Sequence, residues 1–452
     1  MFRSGVTMAA RAVTRSAPPI VDMMAVFVVG RGMAIRKGGT RGLALAPTRI
    51  KTAATIAGTG EEATRRFHAT STHSTAATAP PAPAPATNPA DDGQDTIPGT
   101  SIRVFRTVAG LRVWRRQQLL AGRSVGLVPT MGALHEGHLD LVRAAARDND
   151  AVVVTIYVNP TQFGVHEDLG SYPRTWDADC QALAGLQATF QQGTSTSSSS
   201  SRGKIEAVFA PTTAEMYPSG PPSQEINGPG SFVTITPVGT RLEGASRPTF
   251  FRGVATVCMK LFHIVQPETA YFGQKDVQQT VVLRRMVRDF AIPLTLVVGP
   301  TVREPPDGLA LSSRNVYLGT RRRAVANVLR RSLLAAEAAA ATAAATTSGP
   351  RLTHDQILAA AHRVADETLA AQKQLPPHER ALFEIDYLSL SDADTMEELA
   401  ADQRIDPARG AILSGAVRML PVEDPQPGED LGHSGGPLVR LIDNIIIQPT
   451  EE

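Results

Sequence analysis

Only two cysteines occur in the 452 residues, Cys180 and Cys258, far apart in the chain. That excludes a disulfide framework and suits a reducing compartment. Aromatic residues are few, at 5%, and alanine is plentiful. No charge sign dominates: 45 Lys and Arg stand against 43 Asp and Glu. The balance removes any general case for nucleic acid as a partner. Long apolar runs are missing too. The longest near the N-terminus, Ile20 to Gly30, is about half of what a bilayer requires, and Asp22 interrupts it. No transmembrane helix, and so no membrane partner, is predicted. There is no HExxH and no cysteine cluster, so a zinc site lacks its usual ligands.

What is present begins with a leader. Met1 to His68 holds eleven Lys and Arg but only Asp22, Glu61 and Glu62 as acids. Arg-rich, Ser-rich and acid-poor is the composition of an organellar transit peptide. "RRFHATSTHS", Arg65 to Ser74, resembles a two-step mitochondrial processing site. The sequence therefore predicts a mitochondrial presequence; an extension with no address would leave the protein cytoplasmic. "TAPPAPAPATNPADDG", Thr78 to Gly93, is a Pro-Ala linker whose prolines prevent a core. Residues 1–100 are thus leader and linker, with ordered structure expected from about Ile102.

From there short apolar runs alternate with amphipathic segments. "RSVGLVPTMG", "AVVVTIYVNP", "AVFAP", "TAYFG" and "LTLVVGP" read as strands. "HLDLVRAAARD", "RGVATVCMKLFHIV" and "DVQQTVVLRRMVRDF" read as helices, the second with Val254, Val257, Cys258, Leu261 and Val265 on one face. The pattern predicts an α/β fold: a Rossmann-like parallel sheet with helices on both faces, over residues 101–301. Residues 302–452 change texture. Two helices, the first Ala-rich and stopped at "TTSGP", precede three short strands, which predicts a smaller C-terminal α+β domain. Gly193–Lys204 and Ser219–Gly230 read as tolerated surface loops, and 421–437 as an enlarged loop between the last strands.

Ligands of such a sheet bind at the carboxyl ends of its strands. Four strand ends deliver polar groups there: His135 and His138; Asn159 and Gln162; Gly273, Gln274, Lys275 and Asp276; and Arg303 with "LSSRN", Leu311 to Asn315. A helix N-terminus flanked by His, Lys and Arg suits a polyphosphate. Gly132 and Gly137 allow close backbone approach. Lys275 and Gln279 share a helix face, and the neutral Gln162 and Gln279 suit hydroxyl and carboxylate groups. The two histidines as a zinc pair would need a third ligand, and a purely structural role for both does not explain a Gly-rich turn.

"PTMGALHEGHLDLV", "VNPTQF", "LEGASRPTFFRGV", "YFGQKDVQQ" and "DGLALSSRN" together resemble the pantothenate synthetase (pantoate–β-alanine ligase) family, within the HxGH nucleotidyltransferases. The likeness spans roughly Ile102 to Gln448. It implies a two-step reaction in which pantoate is adenylated by ATP with Mg2+, and β-alanine then displaces AMP. It implies ATP-binding segments at Met131, Gly132, Ala133, Leu134, His135, Glu136, Gly137 and His138; at Gly273, Gln274, Lys275 and Asp276; at Val302; and at Leu311, Ser312, Ser313 and Arg314. His138, His135, Lys275 and Arg314 carry the catalytic roles, His138 being the family's assigned proton donor. Gln162, Gln279 and Asn159 fall to the small substrates, pantoate and β-alanine. No metal ligand is assigned, and a homodimer is implied. Phe250 departs from the family's usual His, and a second proline precedes Asp307; both bear on loop closure. A different HxGH nucleotidyltransferase, or an inactive binding protein on this fold, would share the HxGH but explains "VNPTQF" or the intact polar set less well.

Overall fold

The computed structural model describes residues 95–164, 167–192, 202–345 and 352–449. The presequence reading and most of the 193–204 loop fall outside them. Order begins slightly before the expected Ile102. Thr96 bridges Arg103, and Ile97 is buried in the core.

Six strands form one all-parallel sheet: β1 (Arg103–Phe105), β2 (Val125–Val128), β3 (Ala151–Thr155), β4 (Lys204–Phe209), β5 (Thr269–Gly273) and β6 (Thr295–Gly299). Their order is β1-β4-β3-β2-β5-β6. Every residue of β2 and β3 is buried, as a sheet covered on both faces requires. The predicted face of helix Phe250–Val265 is fully buried. This helix also approaches the turn after β3 closely: a Cβ on Gly253 would lie 2.1 Å from the Thr161 carbonyl oxygen. Glycine there sets the position of Gln162.

From β2 the chain crosses through helix Glu136–Asp148 to β3 on one side. From β5 it crosses through helix Val277–Asp289 to β6 on the other. The direction reverses between neighbours β2 and β5, so a crevice opens at their carboxyl ends. The HxGH turn and "GQKD" flank that crevice.

The C-terminal sheet is antiparallel: β7 (Phe383–Ser391), β8 (Ala411–Met419) and β9 (Val439–Ile447), in that order. Helices Val328–Ala345 and His354–Gln374 cover it through Leu329, Leu333, Ile357 and Ala361 against Leu413, Val417 and Leu441. At the start of the second helix, His354 lies between Asp355 Oδ1 (2.8 Å) and Glu398 Oε1 (2.7 Å). Burial disfavours its charged form, but the two hydrogen bonds outweigh that and raise its pKa above the ordinary value. A raised folded-state pKa gives stability that is fully present below pH ~6.5 and fades as pH rises through the folded pKa. Chemical denaturation from pH 6 upward is expected to show this decline, and His354→Gln is expected to remove it. An unchanged slope in the variant refutes the assignment.

The loop 219–230 is tied down rather than loose. Gln224 Nε2 donates to the Pro160 carbonyl (2.6 Å), and Arg252 donates to the carbonyls of Ser223, Glu225 and Ile226. It therefore braces the turn that carries Gln162. The extra proline lies in a short turn closed by Gly308 N–H to the Glu304 carbonyl, with Arg323 holding both Glu304 and Asp307.

Candidate active site

The crevice widens into a cavity of about 770 Å³ between the parallel sheet and the C-terminal sheet. Its floor is the HxGH turn. His135 is the N-cap of helix Glu136–Asp148. Gly137 N–H donates to His135 Nδ1 (3.2 Å), and His135 N–H donates to His138 Nδ1 (3.4 Å). With Nδ1 accepting in both rings, each ring proton sits on Nε2, free to donate. The rings are 4.0 Å apart and tilted by 32°. Burial, then the Lys275 charge, lowers the His135 pKa to about 4. Burial, then His135 and Lys275, lowers that of His138 to about 3. Two neutral Nε2–H donors thus stand at a helix N-terminus, an arrangement made for anionic oxygen.

Met131, Gly137 and both histidines line the cavity. Gly132, Ala133 and Leu134 contribute the turn itself. Gly132 and Ala133 have positive φ (86° and 49°). The turn is held by buried Asp179, whose oxygens accept from Ala133 N–H (3.1 Å) and Leu134 N–H (2.7 Å). Glu136 turns its side chain outward to Arg143.

Across the crevice, Gly273, Lys275 and Asp276 line the cavity, with Lys275 Nζ 3.2 Å from Asp276. This turn is clamped from β9. Buried Asn444 donates to the Gln274 and Lys275 carbonyls (2.9 Å each) and accepts from Gln274 Nε2 (3.2 Å). Gln274 is thereby a structural link. Val302, Leu311, Ser312, Ser313 and Arg314 form a further wall. Ser313 Oγ meets Tyr172 OH (3.0 Å), and Arg314 makes a two-pronged pair with Asp168 (3.0 and 2.8 Å). The loop's far end is held by Arg322, which is completely buried. Its guanidinium donates to the Tyr317, Leu318, Leu431 and Pro437 carbonyls. That joins the serine loop to the enlarged loop 421–437.

Arg303 departs from expectation. It does not line the cavity; its guanidinium is engaged by buried Asp443 (2.7 and 2.9 Å) and links β9 to the segment after β6. The strand-end position was legible in the sequence, but the partner 140 residues away was not.

Gln162 and Gln279 both line the cavity. Asn159 is buried and its polar atoms are engaged: Oδ1 accepts from Tyr217 OH (2.9 Å) and Thr161 Oγ1 (3.0 Å), and Nδ2 donates to Gln162 Oε1 (2.9 Å). Gln162 Oε1 is therefore occupied, which leaves its NH2 to face the cavity as a donor. Phe250 packs edge-on against Phe251 (4.9 Å) under the Arg247 guanidinium (3.8 Å), which Glu167 holds.

Residues 103–446 match the family model described as pantoate-beta-alanine ligase. The chain belongs to the pantoate–β-alanine ligase family. Among its pantoate–β-alanine ligase relatives, a pantothenate synthetase of Roseiflexus castenholzii is 44% identical over 316 residues, covering 70% of this chain and 98% of that one. A pantoate–beta-alanine ligase of Saccharomyces cerevisiae is 38% identical over 349 residues, covering 76% and 100%. The crystal structure of pantothenate synthetase from Thermus thermophilus superposes with a TM-score of 0.55 at 38% identity, covering 77% of this chain and all of that one. The doubly covered parallel sheet with a small antiparallel C-terminal sheet is thus this ligase family's architecture.

Proposed function

We infer that the chain condenses pantoate with β-alanine at the expense of ATP, through a pantoyl adenylate. The observation that carries this is the pair of neutral Nε2–H donors facing Lys275 across the β2/β5 crevice, with two cavity-lining glutamines beside it. In the first step a pantoate carboxylate oxygen attacks the α-phosphorus, and the bond to the bridging oxygen breaks, releasing pyrophosphate. In the second, the free amine of β-alanine attacks the acyl carbon, AMP leaves, and the amine proton passes to solvent. His135 and His138 donate to phosphate oxygens, Lys275 and Arg314 neutralise developing charge, and Ser312 and Ser313 add hydroxyl donors. Gln162 and Gln279 hold the acid.

No three ligating side chains converge on one point among the described residues. A Mg2+ accompanying ATP needs only one or two carboxylates from the protein. Asp276, paired with Lys275 alone among the carboxylates and cations lining the cavity, would be its protein ligand. When bound, the ion would offset charge on the departing pyrophosphate. Residues 101–301 would serve as the substrate-binding half and 302–452 as its lid, in a homodimer. Among the described residues no helix is long and apolar enough to cross a membrane. The basic leader supports delivery to mitochondria, with the cytoplasm as the alternative.

AMP formation by the purified chain, with ATP, pantoate and β-alanine each omitted in turn, tests the function. AMP is expected only with all three present. AMP formed without β-alanine, or none at all, refutes the reading. Asn159→Ala tests the acid side. It frees Gln162 to rotate and leaves Tyr217 and Thr161 without their acceptor. The KM for pantoate is expected to rise about tenfold with a stability loss of ~2 kcal/mol, while the KM for ATP stays unchanged. A rise confined to ATP would count against the assignment.

A further inference from the structure

Among the described residues, one cation lining the cavity is engaged by no other side chain. Arg330 lies in the first turn of helix Val328–Ala345, half-buried, and lines the cavity wall. The other Lys and Arg side chains lining it are held by carboxylates. Lys275 has Asp276, Arg314 has Asp168, and Arg247 has Glu167; Arg440 has Glu243 and Asp386, and Arg418 has Asp386. Among the described residues, Arg330 has neither an ion-pair partner nor a hydrogen-bond acceptor.

The two acids whose charge reaches it, Asp443 and Glu337, make no ion pair with it. Asp443 gives both oxygens to Arg303, and one of them also to Asn444 N–H. Glu337 is two helical turns further on, roughly 10 Å along the axis. The nearest cation, Arg303, repels it. Burial, then the Arg303 charge, lowers the Arg330 pKa, and the attraction of Asp443 and Glu337 offsets this only in part. A desolvated guanidinium beside a like charge is relieved by an incoming anion. Thr301 Oγ1, two residues before Arg303, is also buried without a partner and lines the same cavity.

The sheet order says which anion. Gln162 follows β3, while Thr301 and Arg303 follow β6. In the order β3-β2-β5-β6 those strand ends are three spacings apart, about 14 Å. Arg330 is therefore next to the β5 exit, which carries Lys275 as well as Gln279, and on the far side of the crevice from Gln162. We propose that Arg330 binds the pyrophosphate half of the nucleotide and retains pyrophosphate after cleavage. The proposal rests on the ATP-dependent reading of the site.

The test is calorimetric binding of inorganic pyrophosphate and, separately, of AMP to the full chain and to Arg330→Gln and Arg330→Lys. Losing one charge-assisted contact in Arg330→Gln is expected to weaken pyrophosphate binding roughly tenfold or more. AMP affinity is expected to stay unchanged, and Arg330→Lys to recover part of the loss. The melting temperature is expected to hold, because Arg330 gives up no protein partner. Equal pyrophosphate affinity in wild type and Arg330→Gln, or a loss confined to AMP, overturns the proposal. The two readings fail separately. A wild-type chain that forms no AMP from the three substrates sinks the ligase function, whereas pyrophosphate affinity alone decides the role of Arg330.

Discussion

His138→Ala is expected to lower adenylate formation by on the order of 100-fold or more, the usual loss for one preorganised charge-stabilising donor. The readout is pyrophosphate release with ATP and pantoate alone. The ring is held by a backbone N–H on Nδ1, so its Nε2–H is aimed without reorganisation. The alanine removes that donor and also the contact that steadies the His135 ring 4.0 Å away. His138→Gln, which keeps an N–H donor of similar reach, should recover part of the rate. The family reading assigns His138 a proton transfer, but its lowered pKa leaves the ring without the second, acidic proton near neutral pH. The geometry favours a fixed dipole instead. Nitrogen NMR of the free protein at pH 7 should show both rings as neutral Nε2–H tautomers; a titration midpoint above pH 6 contradicts this. The same shifts carry a stability cost in acid. Both folded pKa values lie below the unfolded one, so the unfolded chain takes up protons first as pH falls below ~6.5. Stability present above that pH is lost as pH falls toward 4 and then 3.

Lys275→Ala should reduce kcat/KM for ATP by about 100-fold, since it removes the cation facing the two histidines. Its position is set from outside its own segment. Asn444 holds the Gln274 and Lys275 carbonyls, so the C-terminal sheet fixes where the ammonium stands. Asn444→Ala is therefore expected to imitate a weaker form of the lysine loss, about tenfold, with the KM for pantoate unchanged. If Lys275→Ala retains wild-type kcat/KM for ATP, the crevice between β2 and β5 is not the phosphate site.

Five of the six parallel strands were legible because each is a short apolar run ended by a turn; β1, only three residues long, carries no such signal, and neither do helices Val108–Leu120 and Trp176–Gln192. The predicted face of helix Phe250–Val265 is buried as its spacing requires. The polar strand ends were legible for the same reason: they interrupt apolar patterns at fixed places. The bracing residues were not. Asp179 and Asn444 are polar residues in ordinary helical and strand contexts, and only tertiary contact reveals that they hold the two turns flanking the cavity. Arg303 shows the opposite error. Its strand-end position suggested a ligand, yet a buried carboxylate from β9 claims it. Loop 219–230 read as inert from its breakers, yet Gln224 reaches the turn beside Gln162. Pattern marks which residues reach an edge; it does not mark which of them another element has already engaged.

The central claim is that the acid is activated as an acyl adenylate, with bond exchange at the α-phosphorus. Pantoate labelled with 18O in both carboxylate oxygens, turned over with ATP and β-alanine, tests it most directly by phosphorus NMR of the products. One 18O atom in each AMP, and none in pyrophosphate, is the predicted result. Unlabelled AMP, or label in inorganic phosphate, would contradict it.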